Sequence, residues 1–207
     1  MNLRIFENLE DLSHAAARAV LLSGARTIAL TGGSTPKRMY EILGQSLPQD
    51  VTWVLVDERY VPHDDPHSNA AMIERTLFAR GLPERWLYFD TSLNDPAATA
   101  KKFEEQWDLT EPLDLVLLGV GEDGHTASLF PDTPVLDVDG RVASEVYVPR
   151  LEQWRVTLTM PVIRAAKLRM VLASGPSKTP VIEAVRQGVD YPVTRATSGV
   201  TWWFVAT

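Results

Sequence analysis

The chain contains no cysteine, which excludes disulfides, a thiolate nucleophile and any cysteine-based metal site. It also lacks long apolar runs. None approaches the roughly 18 residues of a membrane span, so no membrane role is expected. The opening "MNLRIFENLEDL" has no apolar core behind a basic head, so no signal peptide is expected and the chain reads as cytoplasmic. Positive charge is scarce: 20 Lys and Arg face 27 Asp and Glu, a formal net charge of -7. That balance argues against a nucleic-acid partner or an anionic membrane surface. An anionic ligand would need its cations gathered locally, against the global sign.

What is present is an ordinary globular mixture, 45% apolar and 23% charged over 207 residues, enough for one good core and read as a single domain over 1–207. Short β-branched or aromatic runs, "TIAL", "VTWVLV", "LDLVLLGV", "WRVTLTM", "LRMVLA" and "VTWWFVA", read as buried strands of a parallel sheet. Helical patterns alternate with them. One covers Leu9 to Ser23 and stops at Gly24, and a second opens at Ser68-Asn69. A third opens at Asp95-Pro96 and carries Phe103 and Trp107. The last runs through "TPVIEAVRQ" to Gly188. This rhythm predicts an α/β fold, a single doubly wound domain whose mostly parallel sheet is flanked by helices.

In such sheets ligands lie beyond the carboxyl ends of the strands, and the unusual residues follow four of them. In "TGGSTP", Gly32 and Gly33 permit close approach to the backbone, and Ser34 or Thr35 can cap a helix beginning at Pro36. Free amides and hydroxyls there form an anion site. Lys37 and Arg38 then stand where the helix dipole disfavours cations, which a bound anion would explain. In "VDERYV", Asp57 ends a strand and Arg59 reaches the same rim. "SGPSK" places Lys178 in the first turn of another helix.

"GVGEDGH" matches a dinucleotide-type glycine pattern, but Pro131 and Pro134 leave no room for the long helix that motif opens. Its better reading is a flexible turn presenting Glu122, Asp123 and His125. Histidine titrates near neutrality, and a strand-end position beside two acids suits a general acid/base. His14 reads as a surface residue. His63 and His67 in "HDDPH" read as an exposed loop, so no metal site is assigned.

The stretches "TGGSTP", "DERYVPHDDPHSN", "GVGEDGHTASLFP", "RVTLTMPVI" with "SGPSKTPVIEAV", and "GVTWWFVAT", in this order, resemble the 6-phosphogluconolactonase family, which shares its fold with glucosamine-6-phosphate deaminases. The resemblance implies hydrolysis of 6-phospho-D-glucono-1,5-lactone to 6-phosphogluconate in the oxidative pentose phosphate pathway. A δ-lactone is an activated ester, so a positioned base and oxyanion stabilisation suffice, with neither metal nor cofactor. His125 would be base toward water, then acid toward the ring oxygen. Asp123 or Asp57 would orient the imidazole or bind sugar hydroxyls. Gly33, Ser34 and Thr35 would hold the 6-phosphate, with Arg59 and Lys178 as charged partners. The implied partner is a small phosphosugar lactone; the oligomeric state stays open between monomer and weak dimer.

Three competing readings remain. A deaminase would carry a further acid beyond the histidine, where "TASLFP" has hydroxyls and apolar groups. A serine hydrolase would need glycine at Pro36 and a late histidine. A non-catalytic phosphosugar-binding module would need the phosphate loop but not His125.

Overall fold

The computed structural model describes residues 1–206. Seven strands form an entirely parallel sheet: β1 (Asn2–Phe6), β2 (Thr27–Leu30), β3 (Thr52–Leu55), β5 (Arg85–Leu87), β6 (Leu115–Leu118), β9 (Leu168–Ser174) and β10 (Thr201–Ala206). Their order is β1-β10-β9-β6-β2-β3-β5. The interior strands are apolar on both faces, as burial between two layers requires: every residue of "LVLL" in β6 is buried.

The order reverses in the middle. From β2 the chain builds outward through β3 to β5, then returns to β6 on the other side of β2 and builds outward again through β9 and β10. Loops leaving the carboxyl ends of β2 and β6 therefore diverge and leave a crevice between them, the switch point where such sheets hold ligands.

Among the described residues seven α-helices accompany the strands: α1 (Leu9–Ser23), α2 (Thr35–Leu43), α3 (Asn69–Thr76), α4 (Pro96–Gln106), α5 (Met160–Ala165), α6 (Thr179–Arg186) and α7 (Pro192–Ala196). Their starts follow local chemistry. Asn8, Ser68 and Asp95 each accept a backbone N–H at the head of α1, α3 and α4, which satisfies donors the helix itself cannot pair. Trp107 falls just past the last turn of α4. α2 buries Pro36, Met39, Tyr40 and Leu43, one stripe at helical spacing.

One expected strand sits elsewhere. "WRVTLTM" is not in the parallel sheet. It supplies β8 (Gln153–Leu158), the centre of a second, antiparallel sheet with β4 (Asp57–Arg59) and β7 (Ala143–Val148). Val56 carries the chain from one sheet to the other: its N–H donates to Leu30 O and its carbonyl accepts from Leu158 N. Alternation explains the difference. In β8, Gln153 and Arg155 are half-buried and Trp154 exposed, and only the last three residues are buried.

Candidate active site

The loops after β2, β6 and β9, together with strands β4 and β8 and the head of α3, line a cavity of about 210 Å³. Gly33, Ser34, Thr35, Asp57, Arg59, His125 and Lys178 all line it. Residues from four separate stretches of sequence thus meet at the switch point. Of the residues given a catalytic or phosphate-binding role, Asp123 alone does not line the cavity; it pairs with His125 Nδ1 from outside it.

At the first wall, β2 ends at Leu30 and α2 begins at Thr35. Gly32 is required here by close approach, because a Cβ would stand 1.9 Å from Asn69 Oδ1. Asn69 is fixed by donating from Nδ2 to the Asp57 carbonyl at 2.8 Å. The helix start differs from expectation. Ser34 occupies the cap position but its side chain makes no capping bond, and Pro36 is the second helical residue. Both hydroxyls are therefore left for other acceptors.

The two cations of α2 do not serve the cavity. Arg38 turns to α1 and donates to both oxygens of Glu10 at 2.7 Å, and to Glu41 at 3.2 Å. Lys37 is exposed and lies outside the cavity. A helix-to-helix ion pair, not a ligand, accounts for Arg38.

The second wall is "DER". Asp57 is buried, and its Oδ2 accepts from Ser128 Oγ at 2.7 Å. Glu58 is 2% exposed and points the other way. It accepts from the backbone N–H groups of Arg59, Asn69 and Ala70 and from Ser68 Oγ, locking the head of α3 to β4. Burial pushes its pKa up, and the three N–H bonds oppose that. Arg59 donates to the His67 carbonyl at 2.6 Å, so the "HDDPH" loop steadies a site residue by its backbone. His63 is separate and pairs with Glu74 at 2.9 Å.

The third wall is the turn after β6. No helix follows Gly124; the segment forms turns and a short bridge between Thr126 and Leu129. A Cβ on Gly121 would stand 2.0 Å from His125 Nδ1, so the missing side chain is the space the imidazole occupies. His125 Nδ1 lies 2.5 Å from Asp123 Oδ1, and its ring stacks on Phe130 at 4.1 Å between centroids. Its Nε2 has no partner among the described residues. The second oxygen of Asp123 pairs with Arg150 Nη2 at 2.5 Å. Burial opposes the Asp123 charge, but the bond to His125, that residue's charge and backbone N–H, and Arg150 outweigh it and hold the carboxyl at about 2. Ionised, Asp123 can only accept, so Nδ1 is the donor of this pair, and in the neutral imidazole Nε2 is then the nitrogen with the lone pair. Asp57, engaged by Ser128, makes no bond to the ring.

Lys178 sits in a one-turn 3-10 segment immediately before α6 rather than inside it. The residue lines the cavity, and its amine has no ion-pair partner among the described residues.

Four contributors escaped the sequence reading: Asn69, Phe130, Arg150 and Arg155. Arg155 had a signal, a lone cation in a strand read as buried on both faces. The others depended on contacts between distant segments.

A family model described as glucosamine-6-phosphate isomerases/6-phosphogluconolactonase matches residues 5–203. A 6-phosphogluconolactonase of a Nostoc species is 40% identical over 182 residues, covering 81% of this chain and 74% of the relative. One from Haemophilus influenzae is 32% identical over 194 residues, covering 86% and 83%. The crystal structure of 6-phosphogluconolactonase from Leishmania guyanensis superposes with a TM-score of 0.84 at 30% identity, covering 99% of this chain and 96% of that one. With the switch-point cavity and the His125 turn in place, the chain belongs to the family of glucosamine-6-phosphate isomerases and 6-phosphogluconolactonases.

Proposed function

We propose that this chain hydrolyses 6-phospho-D-glucono-1,5-lactone to 6-phospho-D-gluconate, the lactone-opening step of the oxidative pentose phosphate pathway. The observation that carries the reading is the His125 imidazole, its Nδ1 2.5 Å from Asp123 Oδ1 and its Nε2 without a partner among the described residues, in a cavity whose other walls hold a helix start and three cations, Arg59, Arg155 and Lys178. The Gly33 amide and the hydroxyls of Ser34 and Thr35 receive the 6-phosphate, and Arg59 and Lys178 balance its charge. That places the lactone ring toward His125.

Nε2 takes a proton from water as the oxygen attacks C1, and the carbonyl pair moves to O1. When the tetrahedral species collapses, the bond from C1 to the ring oxygen breaks and the imidazolium returns its proton to that oxygen. Asp123 holds the tautomer and offsets the transient imidazolium charge, the role of the acid in a triad. Asp57 stands where it can accept from a sugar hydroxyl. Every step uses water and side chains of this chain.

The unit that acts is one domain over 1–207, supported by a contiguous hydrophobic core running from Leu12 to Ala206. The reading places it in the cytoplasm and leaves its oligomeric state open between monomer and weak dimer. Among the described residues no helix is long and apolar enough to cross a membrane. The test is incubation with freshly generated lactone, with proton release followed above the spontaneous background. A rate equal to background removes the proposal, and ammonia release from glucosamine 6-phosphate replaces it with a deaminase.

A further inference from the structure

Arg59 of β4 and Arg155 of β8 stand directly opposite each other in the antiparallel sheet. Directly opposed residues share a face, and like charges there destabilise the pair. Both line the cavity. Arg59 at least donates to the His67 carbonyl. Arg155 makes no side-chain hydrogen bond or ion pair among the described residues, and its Nε is buried without a partner. A buried donor left without an acceptor is destabilising, which a ligand acceptor would relieve. Asp57 attracts the guanidinium, but burial is the larger influence and pulls Arg155 below the ordinary arginine value. A largely desolvated cation opposite a second cation, on the wall of a cavity, suits an anion.

Position separates the two arginines. Arg59 also borders a neighbouring groove with Ser34, Lys37 and Arg75, on the side of the α2 helix start; Arg155 does not. The Arg155 guanidinium instead lies 5.9 Å from the centroid of Phe130, the ring on which His125 stacks. That puts it at the His125 end of the cavity, where the reaction proposed above has the water attack.

We propose that Arg155 is a further catalytic residue of the lactonase: it donates to the C1 oxygen as that oxygen becomes an oxyanion, and afterwards to the C1 carboxylate of the product. The proposal rests on the lactonase reading above. As the water oxygen bonds to C1, the carbonyl pair shifts to O1 and meets Arg155. On collapse the pair returns, the bond to the ring oxygen breaks, and His125 protonates the leaving oxygen.

The test compares Arg155→Met and Arg155→Lys with the wild type on two lactones, with and without the 6-phosphate. Both variants are expected to lose kcat/KM by the same factor on each lactone, about 10²–10³ for Met, the usual cost of one oxyanion donor. Calorimetry then compares 6-phosphogluconate with glucitol 6-phosphate, which has an alcohol in place of the carboxylate. Wild type should prefer the carboxylate by about tenfold or more, as a charge-assisted contact implies, and Arg155→Met should bring the two within about twofold. A loss confined to the phosphorylated lactone, an unchanged rate, or a retained carboxylate preference overturns the assignment. Should the Met variant not fold, Arg155→Lys and Arg155→Gln carry the same comparisons. If wild type hydrolyses neither lactone, the lactonase reading falls alone, and the two-ligand comparison still decides whether Arg155 holds a carboxylate.

Discussion

Asp123→Asn is the perturbation whose outcome the structure constrains most. The substitution keeps size and removes charge. Wild-type Asp123 is held at about 2 against an ordinary 3.8, which corresponds to roughly 2.5 kcal/mol in favour of the carboxylate. With about a quarter of the side chain exposed, solvent screening trims this to about 1–2 kcal/mol shared between His125 and Arg150. Loss of the His125 share costs about tenfold in stabilising the transient imidazolium. The larger effect is the tautomer. Arg150 can only donate, so it draws the Asn carbonyl oxygen to itself and turns the amide NH₂ toward His125 Nδ1. The ring must then carry its proton on Nε2, where the base is needed. The expected loss in kcat is about 10³–10⁴, as for the corresponding change in a serine-protease triad. Adding Arg150→Met frees the amide to flip and should restore about tenfold or more. The assay is proton release from fresh lactone at fixed pH, background subtracted, with melting temperature confirming the fold. A folded Asp123→Asn enzyme within about threefold of wild type would refute the tautomer argument.

The remaining expectations follow from the same geometry. His125→Asn should stay folded while kcat falls about 10²–10⁴; near-normal turnover would move the base elsewhere. Arg59→Ala and Lys178→Ala should each weaken 6-phosphogluconate binding about ten- to over a hundredfold with little change in melting temperature, and equal efficiency on lactones with and without phosphate would remove their assignment. Gly32→Ala should drive Asn69 off the β2 loop and cost about 2 kcal/mol or more in denaturant unfolding; a variant of unchanged stability would show that Asn69 can move freely. The carboxyls of Asp123 and Asp90 are both lowered from 3.8 to about 2, so their stabilisation is complete above about pH 4 and is lost as pH falls toward 2. Melting temperature should drop across that window, less steeply in Asp123→Asn, and an identical slope in the variant would contradict the pairing.

Much of this protein was legible in one dimension. Apolar runs of strand length, caps at Ser68 and Asp95, and polar clusters placed at strand ends determined the parallel sheet and the rim where chemistry gathers. Those signals are local: burial on both faces needs continuous apolar sequence, and a helix start needs its own acceptor within a few residues. His125 stood out for the same reason, a titratable ring between glycines at the end of a buried strand.

Tertiary structure decided the rest, because the interactions concerned join residues far apart in the chain. Whether "WRVTLTM" enters the parallel sheet depends on which edge finds β4 and β7, and periodicity over six residues does not specify a partner. Arg38 looked like an anion ligand until Glu10, 28 residues earlier, closed an ion pair with it. Sequence alone left Asp57 and Asp123 open as partner of the imidazole; in the fold Asp123 Oδ1 lies 2.5 Å from His125 Nδ1, while Asp57 accepts from Ser128. Arg155 became notable only when cross-strand register set it against Arg59 and burial left its Nε without an acceptor. Charge, desolvation and hydrogen-bond competition act through space, and only the folded chain brings those groups within a few ångströms of one another.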